Sequence, residues 1–288
     1  MRLLLVLGLL LATTACGSLA DDSGTVRVAA GFYPLAWAAE RVGGNRVDVT
    51  NLTQPGAEPH DLELTIKETV AIAEADVVVF EKGFQPAVDD SVAQNAEGAT
   101  LDAAAVAGLE PYADQPDEPD PHFWQDPLRL AKVGDALATE LAKADPRHEA
   151  AYAAHARALR RDLVALDRDY RRGLSDCARH TIVATHDAFG YLQRYGLDIE
   201  PISLSPDAEP TPADLGRLHD LIRDQGITTV FSETLVSAKT AETLAADLGI
   251  DSVVLDPIEG LSDRTAGEDY LSLMRSNLQA LEKANGCR

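Results

Sequence analysis

The 288-residue sequence is short of positive charge: 25 lysines and arginines stand against 47 aspartates and glutamates, a formal net charge of −22. A surface that acidic repels phosphate backbones and argues against nucleic acid as a partner. It draws cations weakly, over the roughly 8–10 Å that salt leaves unscreened. Long apolar runs are missing too. The longest, residues 3–12, is too short for a bilayer-spanning helix, which needs about 20 apolar residues. Nothing later in the chain reaches that length, so the mature protein is expected to be soluble. Cysteine is scarce, with three residues. What is present is ordinary: 45% apolar and 25% charged residues, values that exclude wholesale disorder and, over this length, accommodate two domains.

Met1-Arg2, the apolar run and the small residues Thr13-Thr14-Ala15 form a secretory-signal pattern. Cys16 after a small residue resembles a bacterial lipobox, although Thr13 stands where a branched aliphatic is usual. On this reading residues 1–15 are removed, Cys16 is lipidated and residues 16–24 form a tether. Plain secretion with Cys16 discarded is the alternative. Cys177 and Cys287 remain, and an even pair in an exported chain reads as a disulfide rather than a thiolate metal site.

Along the chain, strand-like and helix-like segments alternate. Residues 25–30, 46–52, 76–80 and 99–102 read as strands, with helices at 34–42 and 65–75 between them. Prolines in the acidic segment 114–121 forbid helix and inner strand there, leaving a solvated loop. Pro127 and Pro146 sit where helices begin. The second of these helices, 146–174, carries Tyr152, Leu159, Leu163, Leu166 and Tyr170 at helical intervals and would be about 40 Å long. Alternation then resumes, with strands at 181–185, 199–204, 228–232 and 251–255 and helices at 188–195, 212–225, 238–248 and 268–284. The expected class is α/β: two parallel-sheet lobes, residues 25–145 and 175–288, bridged by one long helix.

Of seven histidines, His148, His155, His180 and His219 read as surface or packing residues. His60, in Glu58-Pro59-His60-Asp61, follows a strand; His122, in Pro121-His122-Phe123-Trp124, precedes a helix; His186, in Thr185-His186-Asp187, ends a strand. Asp256 directly follows the last strand candidate. Strand carboxyl ends are where open α/β sheets bind ligands. Three imidazoles and a carboxylate match what tetrahedral Zn²⁺ accepts, whereas Mn²⁺ and Mg²⁺ prefer more oxygen.

These segments, together with Phe231-Ser232-Glu233-Thr234 and Leu255-Asp256-Pro257, resemble the zinc/manganese substrate-binding proteins of bacterial ABC importers, in the same order and over nearly all of the mature chain. The resemblance implies a metal held in the cleft between two lobes by His60, His122, His186 and Asp256, with Glu233 or water as alternatives to Asp256. It implies a monomer outside the cytoplasm that delivers Zn²⁺ to a membrane permease and meets the membrane only through its lipid. A histidine at position 186 favours the zinc branch over the manganese branch. Glu58, Asp61, Asp187 and Glu233 are candidates to orient the imidazoles, and Trp124 and Phe189 to pack beside the site. Many zinc-type relatives carry a histidine-rich loop before the second motif. Here the acidic segment replaces it, as a connector or a weak cation collector. A zinc hydrolase with Glu233 as base is the rival enzyme reading, weakened by the lack of a His-Glu-x-x-His helix. A surface adhesin with a structural metal is the third.

Overall fold

The computed structural model describes residues 24–113, 115–203, 205–206 and 208–288. The signal segment, Cys16 and the first residue of the acidic loop lie outside them.

Two four-stranded parallel sheets form the frame. In the first, β1 (Val26–Ala30), β2 (Val47–Asn51), β3 (Val77–Phe80) and β4 (Ala99–Asp102) lie in the order β2-β1-β3-β4. In the second, β5 (Thr181–Ala184), β6 (Asp198–Pro201), β7 (Thr229–Ser232) and β8 (Asp251–Val254) lie in the order β6-β5-β7-β8. The two lobes therefore repeat one topology. Inner strands β3, Val-Val-Val-Phe, and β5, Thr-Ile-Val-Ala, are buried along their whole length, as strands covered on both faces must be.

Helices α1 (Tyr33–Gly43), α2 (Ile66–Glu74), α3 (Pro86–Asn95), α4 (Ala103–Ala107) and α5 (Pro127–Ala144) belong to the first lobe, and α7 (Pro212–Gln225), α8 (Lys239–Leu248) and α9 (Tyr270–Asn285) to the second. Their starts are specified locally. Thr65 and Glu68 close a capping box on α2, Thr211 and Asp214 one on α7, and Asp269 and Ser272 one on α9. Asp126 caps α5 directly ahead of Pro127. A 3-10 turn at Pro146–His148 leads into α6 (Glu149–Gly173), 25 residues and so about 37 Å long. Its buried stripe of Tyr152, Ala156, Leu159, Leu163, Leu166 and Tyr170 lies against α1, α5 and α9.

The helix expected at 188–195 is instead a 3-10 segment, Gly190–Tyr195, closed by i to i+3 bonds such as Leu192 N to Phe189 O. Its start is tied to the first lobe: the Tyr191 hydroxyl donates to Asp120 O at 2.8 Å and accepts from Glu110 N at 3.0 Å. A Cβ at position 190 would meet Asp120 Oδ2 at 2.4 Å and displace that side chain. Helix α3 was not legible in the sequence, because Asp89, Asp90, Ser91, Gln94 and Asn95 dilute its apolar stripe.

One hydrophobic cluster runs unbroken from Val26 through α1, α5 and α6 to Ala284. The lobes thus share a core, and a wide hinge opening would expose it to water. Cys177, just past α6, is disulfide-bonded to Cys287, just past α9, across 110 residues of sequence. Closing so long a loop restricts the unfolded chain and stabilises the fold by about 4–5 kcal/mol in the chain-entropy account. Replacing both cysteines by serine is therefore expected to lower the unfolding free energy of the metal-free protein by up to that amount in urea titrations, and an unchanged midpoint would contradict it.

Candidate metal centre

Four side chains meet between the carboxyl ends of the two sheets. His60 lies on the loop after β2, His122 on the turn leading into α5, His186 two residues beyond β5 and Glu259 on the loop after β8. Their donor atoms all lie within 4.8 Å of one another. Glu259 Oε1 is 3.5 Å from His60 Nε2, 3.3 Å from His122 Nε2 and 3.4 Å from His186 Nε2. The three rings stand nearly equidistant, with centroids 5.4, 5.8 and 5.4 Å apart. The side chains of His122, His186 and Glu259 are 1% exposed and that of His60 is 22% exposed, so the pocket is closed except beside His60.

Two imidazoles are aimed by carboxylates. Asp120 Oδ1 accepts from both the backbone N and the Nδ1 of His122, at 2.9 and 2.8 Å. Glu233 contacts His186 Nδ1 with both oxygens at 2.8 Å, and its Oε1 also accepts from His186 N and the Thr185 hydroxyl. Each bond fixes the ring so that Nε2 faces the pocket. Glu58 accepts from His60 N at 3.1 Å, which shapes the loop rather than the ring. Phe84 meets the His60 ring edge-on at 4.6 Å, and Trp124 the His122 ring at 5.3 Å. Phe189 is fully buried, Asp187 is half-buried and Asp61 is exposed. His148, His155 and His219 bond elsewhere, to Asp145, the Val42 carbonyl and Asp220.

No Nε2 of the three imidazoles, and neither oxygen of Glu259, has a hydrogen-bond partner. Five convergent, buried polar atoms without donors or acceptors would be costly in a purely structural cluster. A cation at their centre would satisfy the three nitrogens and one oxygen of Glu259. Three neutral imidazoles and one carboxylate suit tetrahedral Zn²⁺, and the set has too few oxygens for Ca²⁺ or Mg²⁺. Protons compete for the same atoms. Burial works against a charged His122, yet Asp120 and Glu259 outweigh it and push its pKa up to about 9. His186 is likewise held well above the ordinary range, against burial, by Glu233 and Glu259. Burial favours a protonated Glu259, but the three imidazoles hold its carboxyl well below the usual range.

Asp256, the carboxylate expected from the sequence, stands outside this cluster. Its Oδ1 accepts from Ile258 N at 2.8 Å and its Oδ2 from the Thr234 hydroxyl at 3.1 Å. Its backbone is clasped by Asn277 of α9, which accepts from Asp256 N and donates to Asp256 O. Burial pushes it up to about 6 despite those bonds. Asp256 thus builds the turn, and Glu259, three residues on, enters the pocket. Two residues of this cluster and its frame lie outside the sequence expectation: Glu259, and Asp120, which is buried although the prolines of segment 114–121 predict a solvated loop.

The fold and the pocket define a two-lobed α/β protein with a four-donor cluster between its lobes that is suited to one small cation. The chain belongs to the ZnuA family, described as zinc-uptake complex component A, periplasmic, whose profile matches residues 28–284. It is 33% identical over 286 residues to the zinc-binding protein AdcA of Streptococcus pyogenes, an alignment covering 90% of this chain and 56% of AdcA. It therefore spans just over half the length of that relative. It is 29% identical to the high-affinity zinc uptake system protein ZnuA of Bacillus subtilis, covering 94% of this chain and 93% of that one. The Zn(II)-bound ZnuA-like domain of Streptococcus pneumoniae AdcA superposes with a TM-score of 0.79 at 32% identity, over 91% of this chain and 99% of that one.

Two outcomes follow for binding. Because the raised pKa of His122 and His186 leaves them protonated at neutral pH, zinc must displace those protons. Affinity should then fall between about tenfold and a hundredfold per unit as pH drops from 8 to 6. A pH-independent constant in competitive titrations would contradict this. Glu259→Gln should weaken zinc binding by about a hundredfold or more, and Asp256→Asn by less than about tenfold, within the range of an outer partner. The reverse order would restore Asp256 as the ligand.

Proposed function

We propose that the protein captures Zn²⁺ outside the cytoplasm and hands it to the permease of an ABC importer. His60, His122, His186 and Glu259 are the ligands in this reading. The observation that carries it is the convergence of three unpartnered imidazole nitrogens on one unpartnered carboxylate in a pocket closed on all sides but one. That donor set matches the printed zinc functions of the AdcA and ZnuA relatives.

The cargo reading is favoured over catalysis by coordination number. A catalytic zinc keeps a position for water beside a base, whereas four protein donors already meet here. Glu233, the candidate base of a hydrolase, is engaged by His186 and Thr185. Donor softness favours Zn²⁺ over Mn²⁺. The site is complete within one chain, which supports a monomer as the working unit. No described helix is long and apolar enough to cross a membrane. Lipidation at Cys16, after removal of residues 1–15, would hold the protein at the membrane near its permease.

Elemental analysis of protein purified from residue 17 onward, followed by competitive titration, tests this reading. One tightly bound zinc per chain, with a folded metal-free form, is the expected result. Protein that unfolds when stripped of metal would favour a structural metal and the adhesin alternative, and protein with no tight site would end the cargo reading.

A further inference from the structure

Glu259 has no partner of its own in the protein outside the three imidazoles, so its position depends on the backbone that carries it. That backbone is held in an unfavourable form. Ile258 has φ of +62°, the only described non-glycine residue with positive φ. A β-branched residue is seldom found there, because its Cβ crowds the backbone. The second lobe fixes one side of the turn through Asp256, Asn277 and Thr234. The other side is fixed from the first half of the chain: Pro257 O accepts from Trp124 Nε1 at 2.8 Å and from Gln125 Nε2 at 2.5 Å.

We infer that Gln125 and Trp124 are positioning residues for Glu259, acting across the lobe boundary through the Pro257 carbonyl. This deepens the zinc-capture reading and rests on it. The segment that carries His122 also carries these two donors, so one 3-10 turn, Phe123–Gln125, fixes the distance between a ligand of the first lobe and a ligand of the second. Gln125 shows the arrangement most clearly. It is fully buried, and its Oε1 has no hydrogen-bond partner. An amide buried with half of its capacity unmet is poorly explained as a contribution to stability. It is explained by the single N–H that pins Pro257. Trp124 has a further tie, since its backbone carbonyl accepts from the Tyr270 hydroxyl of α9, a bond that a side-chain substitution leaves in place.

The test uses Gln125→Met, which keeps volume and removes the donor, in a double-mutant cycle with Glu259→Gln. The expected result is a loss of zinc affinity of about tenfold in the otherwise native protein, as for other outer partners of metal sites, and less than about twofold in the Glu259→Gln background. The melting temperature of metal-free Gln125→Met should be unchanged or higher. An equal loss in both backgrounds, or no loss in either, overturns the inference while leaving zinc capture intact. Should Gln125→Met fold poorly, Trp124→Phe enters the same cycle with the same criterion. Native protein without a tight zinc site would remove the underlying reading, and this inference with it.

Discussion

The structure turns on a carboxylate that has been taken out of water and surrounded by imidazole. Glu259 is only 1% exposed, and a desolvated carboxylate must be compensated by positive charge. In the metal-free pocket that charge comes from protons on His122 and His186. In the loaded pocket it would come from the cation. Proton and metal would thus fill one electrostatic role in turn. Asp120 and Glu233 supply further negative charge behind the rings, which strengthens their hold on protons and on a metal ion alike.

The remainder of the fold holds those groups together. Loops beyond the carboxyl ends of β2, β5 and β8 deliver His60, His186 and Glu259, and the turn ahead of α5 delivers His122. Helix α6 and the common hydrophobic cluster make the two lobes one body. The disulfide closes the chain end onto the foot of α6. His60, on an irregular loop joined to the second lobe through the Gly56 N to Leu261 O bond, is the most exposed of the four, so the pocket meets solvent on that side.

The alternation of strands and helices, the long helix and the three histidines could be read from the sequence for physical reasons. Hydrophobic period separates strand from helix, and each histidine falls in a turn at the end of a strand or the start of a helix. The fourth donor could not. Asp256 directly follows a strand, where a ligand is expected, but the chain turns once more at Ile258. Nothing in Pro257-Ile258-Glu259 announces a β-branched residue in the left-handed region, because that conformation is imposed by Trp124, Gln125 and Asn277 from distant positions. Asp120 was hidden for a similar reason. A run of aspartates, glutamates and prolines reads as solvated, and only the approach of Tyr191 and Gly190 from the other lobe buries its last acid.

The most direct measurement of the central claim is X-ray absorption at the zinc edge on the 1:1 complex. The account predicts four nitrogen and oxygen ligands at about 2.0–2.1 Å, with outer-shell scattering from three imidazole rings that falls to two in His186→Ala and stays at three in Glu259→Gln. A six-coordinate, oxygen-rich shell, or fewer than three imidazoles in the native complex, would contradict it.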